Sequence, residues 1–508
     1  MLARTGSVAL VGAEARLIEV EIYKAAQGLP TFTIVGMAAT SVREADRRVR
    51  SAVESCATWP QARMTCNLAP AGLRKEGTHL DLAMALGVLS VVKELVADGL
   101  DEWVCIGELA LGGEVRPVRG TLAAALECRL KGRKGLICPT ANAAEAALVD
   151  GIQVVPVDRL KDCIGYFHGT WEPHPVTAQA CPSKVSSADM DQVRGQHEAK
   201  FALEVAAAGG HNVLLAGPPG TGKTMLARRL PRILPPMSEE EALDVTRIHS
   251  VAGLLSEGTS LVTERPFRMP HHGISVPGLV GGGSGVPRPG EISLAHNGIL
   301  FLDELPLYRP AALESLRGPL EDGRVRVVRS GGAISFPSRF SLIAAMNPCP
   351  CGYLGDSSRS CRCSARRLES YCARLSGPLY DRFDMQIKVE RVPPGLILSD
   401  DRAESSADIV QRVTAARELQ TRRYGSPLIT NASAPRSVLM KSVRLSGSVR
   451  PLIEAAIAGL LLTGRGLDRL HRVARTIADL ESREQITDED VGRALSWRID
   501  KTDLEAAV

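Results

Sequence analysis

Residues 213–230 read VLLAGPPGTGKTMLARRL, which is a short apolar run, a glycine-rich loop and a helix-compatible segment. The run Val213–Ala216 predicts a buried strand, and Met225–Leu230 begins a helix. The spacing G-x-x-x-x-G-K-[ST] lies between them, made of Gly217, Pro218, Pro219, Gly220, Thr221, Gly222, Lys223 and Thr224. In this context backbone N–H groups face phosphates, the lysine adds charge at the β- and γ-phosphates, and the threonine hydroxyl ligates Mg²⁺. The segment therefore predicts an α/β fold that binds a nucleoside triphosphate with Mg²⁺.

Two further apolar strands end in polar side chains. Ile299–Glu304 (ILFLDE) follows the loop by about 75 residues and ends in two carboxylates. Asp303 is expected to hold Mg²⁺ through water, and Glu304 to polarise the attacking water as general base. Ser341–Asn347 (SLIAAMN) ends in an amide, which either holds the attacking water, touches the γ-phosphate, or simply forms a turn before a proline.

Composition narrows the class of protein. The 508 residues predict roughly three domains, and 44% hydrophobic with 23% charged residues is ordinary for a soluble globular protein. The 61 basic and 57 acidic residues nearly balance, so contact with a polyanion requires a local patch. Only 4% of residues are aromatic, which disfavours base stacking. The sequence shows neither a membrane span nor a signal peptide, so a cytoplasmic protein without a membrane partner is expected.

The patterning divides the chain into three regions and a linker. Strand and helix patterns alternate over residues 1–168 and again over 191–395, whereas 169–190 are rich in Pro, Ser and Thr, and 396–508 are helical. The helices expected in the last region are Ala407–Tyr424, Pro435–Ser446, Val449–Gly464, Gly466–Glu481 and Asp488–Ser496.

The motifs taken in order resemble a known family. The phosphate loop, ILFLDE, SLIAAMN and Gly377–Asp384 (GPLYDRFD) are similar to AAA+ ATPases of the branch that holds magnesium-chelatase ATPase subunits and MCM helicases. Four longer strings resemble the ComM family, also called YifB-type magnesium-chelatase-like proteins: Arg265–His272 (RPFRMPHH), Pro289–His296 (PGEISLAH), Ala345–Gly352 (AMNPCPCG) and Val473–Leu480 (VARTIADL). This resemblance covers essentially the whole chain.

The resemblance implies an architecture and an activity. The expected fold is a Lon-protease-like α/β domain over 1–168, a linker over 169–190, an AAA+ P-loop α/β core over 191–395 and a helical lid over 396–508. The expected protein is a hexameric ring that hydrolyses ATP and migrates DNA branches during natural transformation.

The resemblance also implies roles for two arginines. Arg382, in LYDRFD, would be an arginine finger for the γ-phosphate bound by the neighbouring subunit. The alternative is that Arg382 is a surface arginine paired with Asp381 or Asp384. Arg465, in TGRG, resembles a second sensor arginine, although Arg472 and Arg475 are expected on the same basic helical face.

The N-terminal region lacks the residues of a Lon-type protease. Lys75–Asp81 (KEGTHLD) lies where such proteases carry their nucleophilic serine, and it contains none. Leu122–Ala125, in the segment where they carry the catalytic lysine, contains no lysine. A serine–lysine dyad needs both groups, so a non-proteolytic domain is expected.

Four cysteines cluster in one loop. Cys349, Cys351, Cys361 and Cys363 form two C-x-C pairs, which suit either a tetrahedral structural Zn²⁺ or four free thiols, since C-x-C is tighter than the usual spacing. His271 and His272 are interpreted as loop residues near the ring pore or the nucleotide.

A basic hairpin is the candidate DNA contact. Val325–Val328 and Ala333–Phe336 flank a Gly-Gly pair, with Arg324, Arg326 and Arg329 before it and Arg339 after it. Arginines on a hairpin that projects into a ring channel would grip phosphates of branched or duplex DNA without reading bases. The alternative is an ordinary solvated hairpin.

Other functions remain open at this stage. A chelatase-type ATPase for metal insertion shares the same P-loop core, although the Lon-like domain favours the DNA motor. An ATPase that remodels a protein client is the second alternative.

Overall fold

The computed structural model describes residues 1–95, 99–176, 188–256, 258–283, 285–329, 332–356, 359–397, 403–459 and 463–498. The expected mixed α/β class is confirmed, since strands and helices alternate through the first two regions, with a mixed sheet in the first and a parallel sheet in the second. Residues 177–187, half of the expected linker, lie outside the described residues, as do Ser330 and Gly331 at the tip of the expected hairpin.

Residues 2–168 build a seven-stranded sheet in the order β3-β4-β2-β1-β5-β8-β9. Its two faces are buried by different apolar clusters, because alternate residues of one strand point to opposite sides: Ile137 joins one cluster, and Leu136 and Cys138 join the other. The elements are β1 (Leu2–Val11), β2 (Glu14–Lys24), β3 (Thr31–Val35), α1 (Thr40–Arg43), α2 (Ala45–Glu54), β4 (Arg63–Ala69), α3 (Asp81–Val91), β5 (Trp103–Cys105), β6 (Glu108–Leu109), β7 (Val115–Arg116), α4 (Thr121–Leu130), β8 (Gly135–Pro139), α5 (Thr140–Ala146), β9 (Gln153–Val157) and α6 (Leu160–His168).

The central region contains a five-stranded sheet in the order β11-β14-β17-β10-β18. Its elements are α7 (His197–Gly209), β10 (Val213–Ala216), α8 (Lys223–Arg229), α9 (Glu239–Ala252), β11 (Phe267–Arg268), α10 (Val276–Val280), β12 (Gly281–Gly282), β13 (Arg288–Pro289), α11 (Glu291–Leu294), β14 (Gly298–Leu302), α12 (Pro310–Glu314), α13 (Arg317–Asp322), β15 (Arg324–Arg329), β16 (Gly332–Pro337), β17 (Phe340–Met346), α14 (Ala365–Cys372), α15 (Gly377–Tyr380), β18 (Met385–Lys388) and α16 (Pro394–Ile397). Short 3₁₀ turns cover Leu100–Glu102, Met190–Gln192, Leu230–Ile233 and Leu305–Leu307.

The pairings within this central sheet are all parallel. The carboxyl ends of its strands therefore meet at one edge, the carboxyl edge, and their amino ends at the other, the amino edge. The inner strands β10 and β14 are buried along their whole length, which explains their continuous apolar runs in the sequence. Val213 and Leu215 pack towards α7 and the C-terminal helices, whereas Leu214 and Ala216 pack towards α9 and α12.

The C-terminal region is mainly helical, with α17 (Ser406–Tyr424), α18 (Arg436–Ser442), β19 (Arg444–Leu445), α19 (Val449–Gly459), α20 (Gly464–Leu480), β20 (Gln485–Ile486) and α21 (Asp488–Ser496). The helix predicted over Pro435–Ser446 ends at Ser442, because Arg444 and Leu445 instead pair with Gln485 and Ile486 in a parallel ladder. Thr463 caps α20 by accepting a hydrogen bond from Gly466 N at 3.2 Å, so the new helix begins where the sequence predicted an earlier one to end.

Within the described residues, no helix is both long enough and apolar enough to cross a bilayer.

Candidate functional site

The glycine-rich loop joins β10 to α8 at the carboxyl edge. Gly217 allows a close approach of two chain segments, since a Cβ atom there would lie 2.2 Å from the carbonyl oxygen of Val389, the residue after β18. Gly222 has φ +92°, in the left-handed region that disfavours other residues, and the helix begins at the next residue. Residues 217–222 therefore turn sharply between the end of β10 and the start of α8.

Lys223 lies buried at the centre of this loop. Its Nζ donates to the carbonyl oxygens of Gly217 at 2.7 Å and Pro218 at 2.8 Å, and to Asn347 Oδ1 at 3.2 Å. Burial lowers the pKa of the ammonium to about 8, although Asp303 acts in the opposite direction. The lysine thus contacts neutral carbonyl and amide oxygens at the place where the motif predicts a bound phosphate.

Two carboxylates follow β14 beside this lysine. Asp303 Oδ2 accepts from the Thr224 hydroxyl at 2.8 Å, so the two expected Mg²⁺ ligands already touch. Their oxygens are of the type that Mg²⁺ prefers. Glu304 is the next residue, at φ +51°, and its side chain is 53% exposed. The turn directs one carboxylate to the threonine and leaves the other accessible to water.

Asn347 completes the group at the end of β17. Its side chain accepts from Lys223, and its backbone carbonyl accepts from the Tyr371 hydroxyl at 3.0 Å. It does precede Pro348, as a turn-forming residue would, but its amide also faces the loop. The structure therefore brings together Lys223, Thr224, Asp303, Glu304 and Asn347.

The histidine pair of the RPFRMPHH string lies against this group. His272 Nδ1 is 4.0 Å from Glu304 Oε2, and the rings of His271 and His272 are 4.0 Å apart. Tyr308 anchors the turn by donating its hydroxyl proton to the Pro270 carbonyl at 2.6 Å. The pair therefore lies beside Glu304, at the edge where the sequence predicts the nucleotide.

The two candidate arginines lie at the opposite edge of the sheet. Arg382 precedes β18, is 11% exposed in its side chain, and donates to Pro378 O at 3.0 Å. It forms an ion pair with Glu321 rather than with Asp381 or Asp384. Arg465 is exposed in the first turn of α20. The strands of the sheet therefore lie between these arginines and the phosphate loop.

Both arginines line one large cleft, of about 1110 Å³, at the amino edge. Further arginines line it too, namely Arg265, Arg339, Arg417, Arg469 and Arg472, together with the acidic residues Glu241, Glu321, Asp322, Asp384, Glu418 and Asp468. Sequence reasoning missed Arg469, one helical turn after Arg465, although the i, i+4 spacing placed it on the same face. Its guanidinium lies 3.8 Å from Asp384, and burial lowers its pKa.

One competing candidate for the second sensor faces elsewhere. Arg475 is 1% exposed, pairs with Asp479 at 3.1 Å, and donates to backbone carbonyl groups of residues 483 and 484. The expectation that it shares the basic face of Arg465 is therefore wrong, because the helix end folds over it. Arg472 does line the cleft, but its guanidinium is bound to the carbonyls of Asn431 and Ala432 at 2.7 Å.

The four clustered cysteines meet in space. Their sulfur atoms lie within 4.8 Å of one another, with Cys349 Sγ 3.3 Å from Cys351 Sγ and 3.7 Å from Cys361 Sγ. Tetrahedral Zn²⁺ with Zn–S bonds of ~2.3 Å requires S···S separations near ~3.8 Å, so the donor set fits. Backbone N–H groups, that of Arg362 foremost, lower the pKa of the Cys351 thiol to about 6.

The basic hairpin forms as predicted, with Val325 opposite Phe336 and Val327 opposite Ile334. Val325 and Val327 are buried, whereas Arg324, Arg326 and Val328 are exposed. One face of the hairpin thus packs on the core and the other presents guanidinium groups to solvent.

Three family models match successive parts of the chain. Residues 18–142 match "Subunit ChlI of Mg-chelatase", residues 189–396 "Magnesium chelatase, subunit ChlI", and residues 403–498 "Magnesium chelatase, subunit ChlI C-terminal". The competence protein ComM of Haemophilus influenzae is 40% identical over 508 residues, covering 98% of this chain and 97% of the relative. The uncharacterised protein YifB of Escherichia coli is 41% identical over 496 residues, covering 96% of each.

The chain belongs to the ComM/YifB family of magnesium-chelatase-like proteins.

Membership of the ComM/YifB family indicates an AAA+ ATPase that uses ATP and Mg²⁺. Similarity to a chelatase subunit is shorter: ChlI-2 of Arabidopsis thaliana is 28% identical over 229 residues, 43% of this chain. The family model that matches residues 18–142 also carries a chelatase description.

Proposed function

We propose that the protein is a cytoplasmic AAA+ ATPase that assembles as a hexameric ring and drives branch migration of DNA. Catalysis by two adjacent copies is the central feature of this proposal. One observation carries it: the phosphate loop and its carboxylates lie at one edge of the sheet, while Arg382 and Arg465 lie in a cleft at the other. A complete hydrolytic site then requires the carboxyl edge of one chain against the amino edge of the next.

Each residue of the carboxyl edge has a defined task in this proposal. Lys223 and the loop N–H groups bind the β- and γ-phosphates. The phosphates thereby provide an anionic partner for the buried ammonium, which otherwise contacts neutral oxygens. Thr224 and Asp303 would hold Mg²⁺, which would supply positive charge beside the bound phosphates. Glu304 accepts a proton from the attacking water, and Asn347 orients that water or contacts the γ-phosphate.

The arginine cleft supplies positive charge in trans. Transition-state charge gathers on the phosphoryl oxygens, and a planar guanidinium matches it well. Arg382 is held by Pro378 and Glu321, so its position is set before a neighbour arrives. Arg465 lies in the same cleft and would reach the same nucleotide. Hydrolysis would thereby depend on contact between subunits, which is what a ring motor needs.

The hairpin is the proposed DNA contact. Arg324 and Arg326 point away from the core on a two-stranded ribbon, and they offer charge without aromatic stacking groups. Such contacts bind phosphates independently of base sequence.

The N-terminal domain is proposed to be a non-proteolytic, Lon-like scaffold, and the C-terminal helices are proposed to form a lid.

We also propose a structural Zn²⁺ at Cys349, Cys351, Cys361 and Cys363. The positions of the four sulfur atoms favour this over four free thiols.

A chelatase-type or protein-remodelling ATPase is the second candidate. The chelatase descriptions of all three matching family models favour it. Coverage of 96–98% by ComM and YifB, against 43% by ChlI-2, favours the first proposal. Stimulation of ATP turnover by forked DNA separates the two, because a chelatase has no reason to respond to DNA.

The deciding experiment is a three-strand branch-migration assay with the purified chain. Strand exchange with ATP, and none with a non-hydrolysable analogue, is expected. The Lys223→Ala variant should lose both nucleotide binding and exchange. Exchange that proceeds equally with the analogue would contradict a motor.

A further inference from the structure

The cysteine loop is packed directly on the nucleotide site. Cys349 follows Asn347 by two residues, and Gly352 approaches the phosphate loop so closely that a Cβ atom there would lie 2.6 Å from Pro219 Cδ. The same added Cβ would lie 3.9 Å from Asn347 Cγ. One short segment therefore touches both the phosphate loop and the amide that faces it.

Two other contacts tie this loop to the same edge of the sheet. The Tyr371 hydroxyl, from α14 just after the cluster, donates to the Asn347 carbonyl at 3.0 Å. Asp356, whose side chain is 1% exposed, pairs with Arg391 at 2.8 Å. Arg391 lies two residues beyond Val389, whose N–H donates to Ala216 O at the end of β10. The loop is thus connected to the ends of β17, β10 and β18.

From these contacts we infer that the metal-closed cysteine loop is a brace that positions Asn347 and the Pro219 side of the phosphate loop, so that metal occupancy sets the rate of hydrolysis. This inference rests on the proposed ATPase function. The described part of residues 349–363 contains no helix or strand of its own, so four sulfur–metal bonds would supply the rigidity that backbone ladders supply elsewhere. Positioning groups that support a reacting site commonly change rates by about 10- to 100-fold.

A pair of glycine variants tests the brace without disturbing the thiols. Gly352 and Gly355 both have left-handed φ angles, +85° and +71°, but only Gly352 faces a neighbour, since a Cβ at Gly355 would meet nothing within 4 Å. Both Gly352→Ala and Gly355→Ala therefore carry the same backbone cost. We expect both to retain about one zinc per full-length chain, measured by elemental analysis. Turnover should fall about tenfold in Gly352→Ala and stay within about twofold in Gly355→Ala.

A cysteine variant tests whether loss of zinc lowers the rate of ATP turnover. Cys361→Ser should lose zinc and lose turnover at saturating ATP, while Cys372→Ser, outside the cluster, should keep both. Binding of a fluorescent ATP analogue should remain in Cys361→Ser, because Lys223 and Thr224 are untouched. Tryptic cleavage within 349–363 should become faster when zinc is lost, which is a readout independent of activity.

The outcomes separate this inference from the function on which it depends. Wild-type protein without zinc, or Gly352→Ala behaving like Gly355→Ala, overturns the brace. Loss of zinc with unchanged turnover overturns the coupling. Wild-type protein that holds zinc but never hydrolyses ATP, alone or with DNA, contradicts the proposed function instead.

Discussion

Single residues at the carboxyl edge are arranged by local backbone turns together with hydrogen bonds between distant segments. The left-handed φ of Glu304 separates its carboxylate from that of Asp303, so adjacent side chains can have different roles. Asp303 is occupied by Thr224, whereas Glu304 is exposed beside His272. At the residue scale, proton transfer is therefore predicted to depend on Glu304 alone.

Replacing Glu304 by Gln should separate binding from hydrolysis. The amide cannot accept the proton of the attacking water, so kcat should fall by about 10²- to 10⁴-fold. Nucleotide affinity should change little, because the phosphate contacts remain. Steady-state ATPase kinetics and equilibrium binding measure the two quantities, with Glu172→Gln, an exposed carboxylate, as control. Wild-type turnover in Glu304→Gln would show that another group is the base.

His296 predicts how stability depends on pH. It is 4% exposed, and its Nδ1 accepts from the Arg339 N–H at 2.9 Å. Burial, together with Arg339 and Arg247, lowers the pKa of its imidazole from 6.5 to about 3. The folded state therefore keeps this histidine neutral, while the unfolded chain binds a proton below pH 6.5. The stability that it contributes is complete above pH 6.5 and is lost as pH falls towards 3.

Thermal melting at pH 7 and pH 5 measures this effect. His296 alone should lower the free energy of unfolding by about 2 kcal/mol at pH 5. His296→Gln should be less stable at pH 7 but show a smaller drop between the two pH values. The exposed His168→Gln is the control and should match wild type. An equal drop in His296→Gln and wild type would mean that other groups control acid sensitivity.

At the scale of elements, the β15–β16 hairpin shows how alternating buried and exposed residues give a strand one exposed basic face. Alternate residues of β15 are buried valines, so the intervening arginines must face solvent. Exposure of Arg324 and Arg326 is thus a consequence of anchoring Val325 and Val327, and their charges are available to a polyanion.

Removing these two charges should weaken DNA binding in a salt-dependent way. For Arg324→Ala combined with Arg326→Ala, the slope of log affinity against log salt should become shallower by about 2, since each lost phosphate contact removes ~0.9. Filter binding to forked DNA at several salt concentrations measures this slope. Arg444→Ala with Arg450→Ala removes two exposed arginines from the C-terminal region and should leave it unchanged. An unchanged slope in the hairpin variant would place the DNA contact elsewhere.

At the scale of the whole molecule, the two halves of the proposed active site face away from each other. The parallel sheet orders its strand ends so strictly that the loops after the strands cannot meet those before them. In the proposed ring, the carboxyl edge of one chain would therefore complete its site with the amino edge of the next.

Mixing two inactive variants should restore activity. Lys223→Ala lacks a working phosphate loop but keeps its arginines, and Arg382→Ala has the reverse defect. In a randomly mixed ring about a quarter of the seams would pair an intact loop with an intact arginine. ATPase activity of a 1:1 mixture should therefore clearly exceed that of either variant alone. Activity no greater than the average of the two would argue that Arg382 acts within its own chain or not at all.

The candidate catalytic and phosphate-binding residues could be predicted from the sequence, because each belongs to a short continuous motif at the end of a strand. The phosphate loop, the carboxylates after β14 and Asn347 after β17 each occupy a strand end, and parallel pairing brings strand ends together whatever the rest of the chain does. The cysteine spacing predicted either a zinc loop or four free thiols, but it gave no sign of the close approach of Gly352 to Pro219.

Tertiary structure alone decided the relations between distant segments. It buried Arg475 against Asp479 while leaving Arg465 exposed, although both lie on α20. It ended α18 early, because Arg444 and Leu445 pair with a strand 41 residues further along the chain, at Gln485 and Ile486. It also set Arg382, Arg465 and Arg469 on the edge opposite Lys223. A sequence motif specifies what a side chain can do, but packing determines which other segments it can reach, because that depends on strand order and on contacts between residues far apart in the chain.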